Sequence, residues 1–276
     1  MLHDLPLTAA SLIVTIYGDV VVPRGEVLWM GSLIDVCARF GVNQSLVRTA
    51  TSRLAAAGRL EGERNGRRSF YRLASSARTE FGEAARLLYT DEVESRRLFI
   101  LHAPDLPPET AKRHRMARMG GDVWLCPDIG GVPPPVDLAL PVTAPLEPGG
   151  LERMAAFWDL SDLQTRYAAM LARFGPLAAA LEAGHGIAPA DALICRVLLV
   201  HIYRSALLRD PCLPQAALPE DWLGGKARDL FRTLYLALSP RADEEIARTM
   251  LGRDEPLPLS TPHTAARLRA LEGSRN

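Results

Sequence analysis

Lysine is almost missing from this chain: of 32 basic residues in 276, only Lys112 and Lys226 are lysine. The bias is attributed first to base composition and only second to function. Cysteine is sparse too. Cys37, Cys126, Cys195 and Cys212 stand apart, and the absence of any C-x-x-C pair argues against structural zinc and against a disulfide framework. No apolar run is long enough to cross a bilayer, since the richest, Ala192 to Leu199, is short and interrupted by Arg196. The opening MLHDLPLTAA lacks the basic start and small-residue cleavage site of a secretory signal. These absences predict a protein of the reducing cytoplasm with no membrane partner. G-x-S-x-G, P-loop and H-E-x-x-H patterns are missing, and the histidines have no metal-ligand spacing, so neither a metal nor a cofactor is expected. Net charge is absent as well, with 32 basic against 32 acidic residues, an average that by itself argues against nucleic acid. Apolar residues are plentiful at 48%, which excludes a disordered chain, and the length suggests about two domains.

Local charge overrides that average. From Arg48 to Arg72 the chain carries Arg48, Arg53, Arg59, Arg64, Arg67, Arg68 and Arg72 against only Glu61 and Glu63. The surrounding stretch, Asn43 to Leu73, reads as a helix, a glycine stop and two short strands. Asn43 suits an N-cap, and Gly58 sits where a helix ends in a left-handed residue. Leu46, Val47, Ala50, Leu54 and Ala57 form the stripe expected to be buried. The opposite stripe holds Gln44, Ser45, Arg48, Thr49 and Ser52, side chains able to bond base edges or phosphates. Asn65-Gly66 is a favoured two-residue hairpin turn, with Arg64, Arg67 and Arg68 at its tip. Upstream, a helix capped by Thr8 should stop near Gly18, with a strand as the rival because the short run is rich in β-branched residues, and Val20 to Arg24 reads as a turn or loop. Val27 to Trp29 reads as a strand, and a helix from Gly31-Ser32 to Phe40 closes at Gly41. Helix, tight glycine turn, helix and basic hairpin make a winged helix-turn-helix, in which the second helix enters the major groove of double-stranded DNA. On that reading Arg48 is the first candidate for a base contact, through guanine O6 and N7. Gln44, Ser45 and Thr49 come next, while Arg53, Arg67 and Arg68 meet phosphates. Tyr71 is expected to pack within the hairpin.

Beyond the hairpin, residues 76–92 read as a helical connector carrying Phe81, Ala84, Ala85 and Leu88 on one face. Arg96 to Leu101 and Asp122 to Cys126 read as strands, Glu109 to Met119 as a basic helix, and Val136 to Val142 as a further strand. The prolines Pro133, Pro134, Pro135, Pro141, Pro145 and Pro148, with Gly149-Gly150, indicate a linker. From Leu151 the pattern is helical. A break is expected at Gly175-Pro176, a largely buried helix over Ala190 to Leu208, and another over Lys226 to Leu238.

Three sets of segments carry a family resemblance. SLIVTIYGDVVVPRG (Ser11 to Gly25), LWMGSLI, LVRTATSRL and GRRSFYRL lie in the first 73 residues, VWLCP lies in the middle, and WDLSDLQTRYAAMLARF, HIYRSALLRDPCLP and LPEDWLGGKARDLFRTLY follow. Together they resemble the PaaX family of bacterial repressors of phenylacetate catabolism. The resemblance implies an α+β multidomain chain: a winged-helix domain (1–75), the connector (76–92), a small ferredoxin-like middle domain (93–145), here with a shortened helix region, and an all-α C-terminal domain (146–276). It further implies a homodimer released from operator DNA by phenylacetyl-coenzyme A or a related acyl-coenzyme A.

A thioester of that kind carries phosphates, so arginines should line part of its site. His201 and Arg204, three apart on the long helix, and Arg209 just after it are the candidates. Pairing of Arg204 and Arg209 with Asp210 or Asp221 is the structural alternative. An enzyme would instead assemble Cys195, His185 or His201, and Asp191 as nucleophile, base and orienter. A metal-dependent nuclease would rely on Asp105.

Overall fold

The computed structural model describes residues 7–90, 95, 97–130, 136, 138–142 and 148–273. Thr8 caps α1 (Ala9–Ile16) by accepting from Ser11 N. The regular α-helix ends at Ile16, near the stop expected at Gly18, but the chain stays helical. It widens into a π turn over Tyr17–Val21, tightens into a 3₁₀ turn over Val22–Arg24, and ends at Gly25 with φ 105°. The reason lies in the carbonyls. Gly18 O and Asp19 O accept from Arg267, and Val20 O accepts from Arg24, so side-chain donors satisfy the helix end where the regular ladder fails.

Then follow β1 (Val27–Trp29), α2 (Met30–Ala38), α3 (Gln44–Ala56), β2 (Leu60–Asn65), β3 (Arg68–Leu73) and α4 (Arg78–Tyr89). The three strands form an antiparallel sheet in the order β1-β3-β2. A second chain section holds β4 (Leu98–His102), α5 (Pro108–Arg113), β5 (Ala117–Gly120), β6 (Val123–Pro127) and β7 (Leu138–Pro141). The helix expected to reach Met119 is therefore cut short. Arg115 takes a left-handed φ of 54°, and Ala117–Gly120 becomes a strand paired with β6. These strands form a wholly antiparallel sheet, β5-β6-β4-β7.

The C-terminal region is helical: α6 (Pro148–Ala155), α7 (Leu160–Glu182), α8 (Pro189–Leu207), α9 (Gly224–Thr249) and α10 (Pro262–Gly273). Pro133 to Pro135 and Pro145 of the expected linker lie outside the described residues. Pro148-Gly149-Gly150 opens α6 instead of forming linker, with proline in the first turn, where its missing N–H costs nothing. Gly175-Pro176 does not break α7. One lost backbone bond is outweighed by the burial of Tyr167, Met170 and Phe174 along the same face. Likewise α9 runs past Leu238 and through Pro240, because Ala242, Asp243 and Ile246 are buried beyond it.

The chain divides into two compact units that do not follow the expected boundaries. The described residues of 1–91, 172–203 and 229–276 make one unit, and those of 92–171 and 204–228 the other. The stretch 146–276 is thus shared between them instead of standing as one domain. In the second unit, Leu101, Ala111, Met116 and Cys126 form one cluster, and Leu98, Ala155, Leu213 and Ala217 another. The Trp158 indole donates to Arg115 O at 2.7 Å, and Tyr167 donates to the buried Asp210 at 2.6 Å.

The first unit is held at its centre by buried charge. Asp19 has no exposed side-chain surface; its Oδ2 accepts from Arg196 Nε at 3.1 Å. Its Oδ1 accepts from Tyr235 at 2.8 Å, Tyr89 at 3.0 Å and Arg267 at 3.3 Å. Arg196 and Arg24 both donate to Asp243 Oδ1 at 2.6 Å. Around them Tyr203 stacks on Phe231 at 4.4 Å, Tyr89 lies 5.2 Å from Tyr235, and the Arg267 guanidinium sits 3.7 Å above the Tyr89 ring. Burial alone would raise the Asp19 pKa above its ordinary 3.8, but the Arg196 and Arg267 charges and the Tyr235 hydroxyl outweigh it and hold the carboxyl below that value. A depressed carboxylate contributes stability above its unfolded-state pKa and loses it as pH falls through the lower folded value. Asp19→Asn should therefore cost about 3–5 kcal/mol at neutral pH in urea unfolding, because it leaves buried guanidinium charge uncompensated. It should also remove part of the wild-type loss of stability below about pH 4. Equal acid sensitivity in the two proteins would show that Asp19 does not supply it.

Candidate nucleic-acid interface

α2 and α3 are joined by a turn at Gly41, whose φ of 77° suits glycine. Asn43 Oδ1 accepts from Leu46 N at 2.9 Å, the expected N-cap. Val47, Ala50 and Thr51 face inward, and the Thr51 hydroxyl donates to Val47 O at 2.8 Å. Gln44, Ser45, Arg48, Thr49, Ser52 and Arg53 are all exposed, so α3 presents the polar stripe read from the sequence. One member of the expected apolar stripe is misplaced. Leu46 is 54% exposed and lies beside Thr49 and Arg53, while Thr51 occupies the core position it was expected to share. A one-residue error rotates a helix position by 100°, which periodicity over so short a helix tolerates. Ala57 is exposed as well.

With its amide oxygen turned toward Arg48, Gln44 accepts from Nε and Nη2 at 3.1 Å each. After Gly58, with φ 66°, the chain enters the β2–β3 hairpin. Asn65 pairs with Arg68, so the two-residue loop is Gly66-Arg67, one residue later than expected. Positive φ is confined to Gly66 at 58°, the pattern of a type II′ turn with glycine first. Tyr71 lies across Gly62, where an added Cβ would stand 2.9 Å from its ring, and its carbonyl accepts from the Tyr17 hydroxyl at 3.0 Å. It packs within the hairpin as expected.

The seven arginines divide by partner. Arg59 pairs with Glu80 through an Nη2–Oε1 bond of 3.0 Å, and Arg72 pairs with Glu61 at 2.9 Å. Glu63 is taken by Arg253 from the segment after α9. Both hairpin acids are thereby neutralised. Arg68 lies 5.3 Å above the Trp29 ring, and Arg64 Nε donates to Gly66 O at 3.2 Å. Among the described residues Arg48, Arg53, Arg64, Arg67 and Arg68 have no carboxylate partner, leaving their charge for an external anion.

Sequence reading missed what holds this surface. Trp29 N donates to Leu251 O at 2.8 Å, and the Ser32 hydroxyl accepts from Leu251 N at 2.9 Å. Glu245 on α9 binds Arg39 at 2.8 Å and Arg248 at 2.6 Å. Residues beyond 240 thus brace β1 and the end of α2. SLIVTIYGDVVVPRG contained Asp19 and Arg24, but no spacing in the sequence names partners two hundred residues away.

Of the ligand candidates, His201 is buried and its Nδ1 lies 2.9 Å from Thr15 Oγ1. That hydroxyl also lies 3.0 Å from Ser11 O and can donate to only one of the two, the other role being set by the tautomer of the ring. Arg204 is half-buried and Arg209 exposed; both belong to the second unit and His201 to the first. Asp210, one proposed partner for them, is engaged by Tyr167 and Cys212 N. The nucleophile–base–orienter set is not supported. Burial and the Asp191 carboxylate push the Cys195 thiol up, and the ring of His185 meets Ala180 O at 3.0 Å. Among the described residues no group of three or more His, Cys, Asp or Glu could hold a metal ion, and no helix is long and apolar enough to cross a membrane.

Comparison with known proteins agrees with this architecture. The profile of the family described as "PaaX-like protein" matches residues 8–77, and that of the "PaaX-like protein C-terminal domain" matches residues 158–248. The transcriptional repressor PaaX of Escherichia coli (strain K12) is 30% identical across 87% of this chain and 83% of its own length. In fold, the chain resembles an uncharacterized protein, Rv0674, from Mycobacterium tuberculosis, with a TM-score of 0.50 and 20% identity over 86% of this chain and 98% of that one. The two profiles and the extent of the match to the Escherichia coli repressor establish that this chain belongs to the PaaX family of transcriptional repressors.

Proposed function

We propose that this chain is a dimeric repressor that binds operator DNA through α2, α3 and the β2–β3 hairpin acting as a winged helix-turn-helix. The observation that carries the reading is the exposed polar face of α3 next to five arginines without carboxylate partners. α3 enters the major groove with Arg48 at base edges, while Arg53, Arg64, Arg67 and Arg68 meet phosphates and fix register. Ser45, Thr49 and Ser52 add hydroxyl contacts, and Asn43 caps the helix that delivers them. Two such heads in a two-fold dimer would read half-sites one helical turn or a multiple apart, about 34–36 Å per turn. The β5-β6-β4-β7 order, with α5 between β4 and β5, supports a ferredoxin-like reading of the middle section.

The same proposal assigns an acyl-coenzyme A effector, phenylacetyl-coenzyme A by family resemblance, and genes of aromatic catabolism as the target. Arg204 and Arg209 are the candidates for its phosphates; His201, committed to Thr15, serves the fold. Release requires that the thioester bind the DNA-free state more tightly than the operator-bound state.

The direct test is a band-shift with DNA from the protein's own promoter, titrated with phenylacetyl-coenzyme A. Salt-sensitive specific binding that the thioester releases is expected. Specific binding unaffected by it would keep the repressor and discard this effector, and equal thioester affinity with and without operator would sink the gating. Arg48→Ala should weaken operator binding by about 1–3 kcal/mol while nearly sparing non-specific binding. Arg67→Ala should weaken both similarly and reduce the salt slope by about 1. The reverse ranking would refute these roles.

A further inference from the structure

Gln44 and Arg48 are alike in the sequence, two polar side chains on one exposed face, but the geometry separates their tasks. They stand one turn apart on α3, and with its amide oxygen turned toward Arg48, Gln44 accepts from Nε and Nη2 at 3.1 Å each. A guanidinium has two edges that can make paired, parallel hydrogen bonds, Nε/Nη2 and Nη1/Nη2. In that orientation Gln44 closes the first edge, and the second stays open on an exposed side chain. The same contact occupies the oxygen a glutamine needs to accept from adenine N6 when it reads adenine through a paired contact. Asn43 fixes the first turn of α3, so Gln44 is held at the base of this arrangement. A free arginine on a helix surface samples many rotamers, and restricting it before DNA arrives lowers the ordering cost of binding.

We propose that Gln44 is a positioning residue that holds Arg48 for an end-on paired contact, through Nη1 and Nη2, with O6 and N7 of a guanine in the operator. The inference rests on the DNA-binding reading above and replaces the expectation that Gln44 itself contacts a base.

The experiment uses the full chain and fluorescence-labelled promoter DNA in which guanine is replaced by 7-deazaguanine, which pairs normally but lacks the N7 acceptor. Wild type should bind the substituted operator about tenfold more weakly, and Arg48→Ala should bind both forms alike. Gln44→Met, similar in length but without the acceptor, should lose several-fold in affinity for native operator and most of the 7-deazaguanine discrimination. Gln44→Glu keeps the acceptor; it should retain the discrimination while its charge lowers affinity for both DNAs. Full discrimination in Gln44→Met would overturn the positioning role. So would a wild-type preference for adenine over 7-deazaadenine that Gln44→Met abolishes, since Gln44 would then read adenine directly. Specific binding by wild type with no sensitivity to 7-deazaguanine removes this inference alone, whereas no specific binding removes the DNA-binding reading beneath it.

Discussion

A carboxylate with no exposed surface at the end of α1 governs the first compact unit. Asp19 must be neutralised where it stands, and its counter-charges arrive from α8 as Arg196 and from α10 as Arg267, with hydroxyls from Tyr89 on α4 and Tyr235 on α9. Arg24, one turn beyond it, shares Asp243 with Arg196. Hydrophobic burial could be satisfied by several rotations of these helices, but paired guanidinium and carboxylate geometry permits few. The cluster therefore selects one arrangement of four helices around a widened turn of α1.

That arrangement reaches the proposed DNA face through short, directional contacts. The segment after α9 bonds to β1 through Trp29 and to α2 through Ser32, and Arg253 takes the Glu63 carboxylate on the hairpin. The last of these contacts is electrostatic. Removing the Glu63 charge from the hairpin strengthens its positive field without adding a basic residue to it. The neutral composition of the whole chain hides this, because Glu61 and Glu63 are paired with Arg72 and Arg253 while Arg48, Arg53, Arg64, Arg67 and Arg68 have no carboxylate partner among the described residues.

Local structure was legible in the sequence where local chemistry decides it. The Asn43 cap, the glycine at position 41, the end of α3 at Gly58, the strand at Val27–Trp29 and the long α8 each follow from residues within a few positions of one another. Errors arose where a distant partner decides. The chain stays helical past Gly18, where Arg267 satisfies the carbonyl, and α9 outruns its expected limit, where Asp243 is bound by two arginines. Leu46 failed for a different reason: Thr51, with a hydroxyl that bonds Val47 O, can fill a buried position, and a count of apolar residues cannot see this. The division into compact units was illegible for the same reason as Asp19, since segments that share a core are separated by most of the chain.

That separation matters during synthesis. When the ribosome has made the first 91 residues, α3 and its hairpin are complete, but Asp19 lacks every guanidinium of its cluster except Arg24, which bonds Val20 O rather than Asp19 itself. Arg267 follows Asp19 by 248 residues and emerges long after it. The Asp19 cluster must therefore wait, incompletely closed, until Arg196 and Arg267 have been made, and contacts so far apart in sequence form slowly. A chain interrupted early by nonsense mutation or proteolysis would carry the surface assigned to DNA without the interior that fixes it. The order of translation thus ties that surface to arginines made long after it.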